Sequence, residues 1–167
     1  MKTLTKHETA AIEQVAKMDD PAKLRALISN AKRQNSSSVY EAAFKKLCLV
    51  LPSSNPGTVE HEFWQTIHAF EEILSEERGK TVRLSRTRQK IGRVGERKVL
   101  EDFARHSKAT EGFEMLIARG LPEMTGEAIV LRFRHEFDEA TVMAAQARLE
   151  GVGVKTSALF GREIANG

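Results

Sequence analysis

The sequence predicts a mostly α fold: a helical bundle followed by a small C-terminal α/β unit of β-α-β order. Three observations carry this. Apolar residues recur every three or four positions through the first hundred residues. Strong capping and stop signals separate those runs. After residue 126 the pattern changes to alternation with a period of two. The 167 residues, 41% hydrophobic and 29% charged, suit one domain or one domain with an appended element. The expected division is a helical domain over 1–106 that includes a basic helix at 83–98, with an α/β subdomain over 107–167 packed on it.

Ala11, Ile12, Val15 and Met18 set the first helix at about 5–18. Asp20 before Pro21 pairs an acidic N-cap with proline at the first helical position, starting a second helix that ends near Gln34. Its stripe is Leu24, Leu27, Ile28 and Ala31. Ser38 and Glu41 stand at capping-box spacing ahead of a third helix lined by Tyr40, Ala43, Phe44, Leu47 and Leu51. Pro52–Gly57 is the sharpest break, short enough for a helix–helix connection. Thr58 caps a fourth helix with the stripe Val59, Phe63, Ile67, Phe70 and Leu74, stopped by Gly79. Trp64 stands at the edge of that stripe, where it would serve as an interface anchor if exposed.

A basic helix follows Ser85, interrupted by Gly92 and Gly95, and Val99, Leu100, Phe103 and Ala104 resume the apolar pattern. A helix over 111–119 closes at Gly120. Residues 127–134 alternate Ile129, Leu131 and Phe133 with Val130, Arg132 and Arg134, as a strand does. Asp138 caps a helix to Glu150, and Val152, Val154, Thr156 and Ala158 suggest a second strand over 151–160.

The net charge of +3 hides an asymmetry. Residues 78–108 hold eleven Lys/Arg against three Asp/Glu, while 1–77 sum to −2 and 109–167 to −3. Screening confines a surface charge to about 8–10 Å, so distant acids do not cancel this segment. At 100° per residue, Arg83, Arg86, Lys90, Arg93 and Arg97 fall in a band roughly 80° wide and ~21 Å long, opposite Leu84, Ile91 and Val94. Arg88 and Lys98 widen the field. These seven are the candidate phosphate contacts, because arrayed guanidinium groups match phosphate oxygens and displace counterions. The expected partner is therefore nucleic acid, bound with little base selectivity. An adaptor or inhibitor gripping an acidic protein with the same arginines is the alternative, and Glu71, Glu72, Glu76 and Glu77 are possible partners within the chain. The helical half is a further candidate surface for a protein partner or a second copy.

Ile91-Gly92-Arg93-Val94-Gly95-Glu96-Arg97-Lys98 resembles the hairpin of helix-hairpin-helix DNA-binding modules, in which the amides of a Gly-hydrophobic-Gly turn contact phosphate. Val94-Gly95 matches the second half. The first glycine would fall at Arg93, whereas Gly92 lies one place early. A helix-turn-helix over 96–119 fits poorly, since its reading helix carries Glu111, Glu114 and a broad apolar run.

Nothing supports an enzyme. His61 and His68 share a face but lack metal-ligand spacing, and His135-Glu136 has no nucleophile beside it. Walker, dinucleotide and nucleophile-elbow motifs are missing from the sequence. No cofactor or metal is expected. Cys48, the single cysteine, reads as a core thiol, so no disulfide framework is possible. With no apolar run near ~20 residues and no leader pattern, the expectation is a cytoplasmic protein without a membrane span.

Overall fold

The computed structural model describes residues 3–53 and 55–160, and every regular element among them is helical. The chain separates into two compact units, 1–53 and 54–167. The division falls inside the Pro52–Gly57 break, and the segments 83–106 and 107–160 lie in one unit.

The first unit has three helices: α1 (Lys6–Ala16), α2 (Pro21–Arg33) and α3 (Ser37–Val50). Thr5 and Glu8 form a reciprocal capping box on α1, and Asp20 Oδ1 accepts the Ala22 N–H at 2.9 Å on α2. The box expected at Ser38 and Glu41 is not made. Ser36 stands at the N-cap of α3, and its hydroxyl instead donates to Glu8 Oε1 at 2.7 Å. Asn35, in the left-handed region, and the Ser36 N–H to Ala31 carbonyl bond of 2.9 Å close α2, leaving a short turn into α3. Helix α3 packs on α1 and α2 around Val15, Leu24, Ala43 and Leu47.

The second unit contains α4 (Val59–Arg78), α5 (Ser85–Val94), α6 (Glu96–Arg105), α7 (Glu111–Ala118), α8 (Gly126–Arg132) and α9 (Glu139–Gly151), with 3-10 turns at Pro122–Met124, Arg134–Glu136 and Thr156–Ala158. Helix α8 is its centre. Gly126, Glu127, Ala128, Ile129, Val130 and Leu131 are all buried, with α4, α6 and α9 packed around them. The core joins these residues to Phe63 and Ile67 of α4, Val99 and Leu100 of α6, and Ala145 and Leu149 of α9.

Both expected strands are therefore corrected, and the described residues contain no α/β unit. A helix buried on all sides has no polar face, so its sequence is a plain apolar run that periodicity cannot distinguish from a strand. The deciding local signal is Thr125, whose hydroxyl accepts the Ala128 N–H at 3.1 Å and starts α8. At 151–160, Gly153 adopts φ 84°, and the Val154 N–H bonds the Leu149 carbonyl at 3.0 Å. That closure turns the chain out of α9, and the 3-10 turn follows. Residues 161–167 of the expected C-terminal unit lie outside the described residues.

Candidate nucleic-acid interface

The basic segment is not one helix. Arg83 precedes α5, Arg86 to Arg93 lie on it, and Arg97 and Lys98 lie on α6. Gly92 continues α5, and Gly95 breaks it at φ 86°, ψ 163°, a conformation that side-chain-bearing residues rarely adopt. Gly95 is at once the C-cap of α5 and the N-cap of α6, so the two helices join through a single residue. The double-glycine turn implied by the hairpin resemblance is absent at 92–95, because only its second glycine leaves the helix.

Four of the seven candidate cations are paired with carboxylates of the same unit. Arg88 grips Glu71 with two parallel bonds of 2.7 Å, Nε to Oε1 and Nη2 to Oε2, while the Leu84 N–H also donates to Oε1 at 2.9 Å. Burial pushes the Glu71 carboxyl up, but these hydrogen bonds outweigh it and hold the group below its ordinary range. The Arg88 guanidinium also lies 5.0 Å above the Trp64 ring, whose Nε1 donates to Glu96 Oε1 at 3.2 Å. Trp64 is thus half-buried beneath α5 and is not an exposed anchor. Arg97 pairs with Glu136 and Glu60, Lys90 with Asp102 at 2.8 Å, and Lys98 with Glu101 and Asp102 at 3.5 and 3.4 Å. Lys90's hydrogen bond is the main cause that holds Asp102 below its usual range.

Helix α4 supplies much of this counter-charge. Besides Glu71 and Glu60, Glu62 takes Arg132 and Glu77 takes Arg119, both at 3.2 Å. Acids spread around α4 thereby neutralise arginines from α5, α6, α8 and the end of α7.

Arg83, Arg86 and Arg93 differ. All three are exposed, and none has a carboxylate partner among the described residues. Seven residues apart, Arg86 and Arg93 share the outer face of α5, about 10 Å from each other along the axis. Arg78 and Lys80, also exposed and without such a partner, extend the positive edge toward the end of α4.

Of the two histidines on α4, His61 is buried and His68 half-buried. Burial is the largest cause lowering the His68 pKa, with Arg88 and Arg83 adding to it against Glu71 and Glu72. Cys48 is fully buried and in no disulfide. Among the described residues, no group of three or more His, Cys, Asp or Glu is arranged to hold a metal ion, and no helix is long and apolar enough to cross a membrane. No family model matches the chain, and comparisons with curated proteins and with solved structures return no match.

Proposed function

We propose that this protein is a non-catalytic, cytoplasmic regulator that binds the phosphate backbone of nucleic acid through Arg83, Arg86 and Arg93. The observation behind it is that these three guanidinium groups remain exposed and unpaired in a unit whose other 83–98 cations have carboxylate partners. An exposed arginine without an internal mate is free to displace the counterions of a polyphosphate. Arg88, Lys90 and Arg97 have a different part: they tie α5 and α6 to the unit and to each other, holding the open face in place, while Lys98 pairs within α6. With only backbone contacts, the binding positions the protein without selecting a base sequence.

The test is titration of the full chain with a generic DNA duplex at several salt concentrations. Three phosphate contacts on B-DNA give a log–log slope near −2.7, or about a 40-fold loss of affinity between 50 and 200 mM salt. Arg86→Glu with Arg93→Glu lowers the slope by about 2, whereas Lys98→Glu leaves it nearly unchanged. No binding at low salt, or binding indifferent to the double reversal, overturns the proposal. A protein that co-purifies and is lost on the same reversal indicates the acidic-partner alternative.

A further inference from the structure

A recess of about 150 Å³ lies within the second unit, walled by Ile67, Phe70, Leu84, Phe103, Phe113 and Leu116. It draws on α4, α6, α7 and α8, with Leu84 and Thr87 contributed by the start of α5. Exposed Glu111 stands at its rim, and Glu127 forms part of its wall.

Glu127 is the unusual member: an acid on the central helix, only 2% exposed. Its Oε1 accepts Arg148 Nη1 at 3.1 Å, and Arg148 also donates to the Phe103 carbonyl at 2.6 Å and to the His106 carbonyl. Arg148 and the residue's own backbone N–H are the donors that hold this carboxylate, a group able to accept about four hydrogen bonds, and Glu127 lines the recess. Burial pushes this carboxyl up, against the pull of its own backbone N–H and of Arg148.

We propose that the recess binds a small monocyclic aromatic molecule carrying one neutral hydrogen-bond donor, of the phenol class, with the donor on Glu127 and the ring among Phe70, Phe103 and Phe113. The size argues for a single ring, since an apolar cavity of about 150 Å³ accommodates benzene in another protein. The walls argue for an apolar body. A neutral donor fits because Arg148 already faces the carboxyl with a positive charge, so a second cation has little to gain, whereas the carboxylate retains capacity to accept from a further donor. Gly112 contributes by what it lacks: a Cβ there would lie 3.2 Å from the Phe70 ring and displace it. The proposal does not rest on the arginines and stands or falls without them.

Titrating the full chain with phenol, toluene and benzylamine, followed by amide chemical shifts, tests it. Phenol is expected to saturate with a Kd on the order of 0.1–1 mM, in keeping with its few heavy atoms. The shifts should centre on Thr66, Gly112 and Gly126. Toluene is expected to bind about 10-fold more weakly, the value of one hydrogen bond. Thr87→Phe fills the recess from its half-exposed edge, so it should weaken phenol binding with the melting temperature kept. Glu127→Leu should equalise phenol and toluene. No saturable shift with phenol overturns the site. Toluene binding as tightly as phenol in the unaltered protein overturns the role of Glu127, and benzylamine binding tightest overturns the ligand class.

Discussion

Helices α5 and α6 are neighbours of ten residues each, joined through Gly95, and both lie in the most basic stretch of the chain. Their fates differ. Helix α6 carries Glu96, Glu101 and Asp102 alongside its cations, and buries Val99, Leu100 and Ala104. Helix α5 has no acid of its own, buries only Ile91, and is fastened by borrowed carboxylates: Glu71 to Arg88 and Asp102 to Lys90. Where α6 ends paired and seated in the core, α5 shows Arg86 and Arg93 to solvent. A basic segment is thus not equivalent to a basic surface. What reaches a ligand is the charge left after the fold has matched its own ion pairs.

The sharpest way to test this contrast is through the core. Leu100→Ala, at a fully buried position of α6, is expected to cost about 3–4 kcal/mol in chemical denaturation, whereas Arg86→Ala on α5 stays within about 0.5 kcal/mol. Arg88→Met comes next, at about 2–3 kcal/mol, because it leaves the Glu71 carboxylate buried without its cation and removes the contact over Trp64. If that variant melts like the parent, α5 is not held as described.

The pH dependence of stability separates two arginine-paired carboxyls. Glu71 is held below its ordinary 4.5, so its contribution is present above that value and is lost as pH falls through the lowered one. Glu127 is held above 4.5, so its contribution is present below that value and is lost as pH rises through the raised one. Denaturation across pH 3–7 should therefore show Glu127→Gln removing a component that declines toward neutrality, and Arg88→Met one that grows toward it. Matching profiles for the two variants would remove this distinction. The smallest effect belongs to Lys98→Ala, which should leave the denaturation midpoint unchanged, since its pairs with Glu101 and Asp102 are solvent-exposed.

Much of the fold was legible because its signals are local. Asp20-Pro21, Thr58, Thr110 and Asp138 each cap the helix expected after them, and α4 ends at Gly79 as its pattern requires. The strands were misread where burial is complete: α8 has no wet side, so Ile129 to Leu131 carry no helical period. The interface was legible only in part. Ion pairs spanning 17 residues, as between Arg88 and Glu71, or 37, as between Arg97 and Glu60, leave no trace in spacing. Arg83, Arg86 and Arg93 therefore looked no different from the four cations that are matched. Glu127 was equally hidden, since a single acid in an apolar run gives no sign of the Arg148 that faces it.

From its residues alone this protein was destined to be helical, with its main breaks near Pro52–Gly57 and Gly79 and a concentration of positive charge between them and residue 108. Capping bonds, glycine stops and helical stripes act over one to four residues, and so do not wait for the rest of the chain. Tertiary structure decided that residues 126–131 of α8 would be dry on every side, and which arginines would meet a carboxylate. Both depend on segments distant in sequence coming together, and a charge or an apolar side chain has no fixed environment until they do.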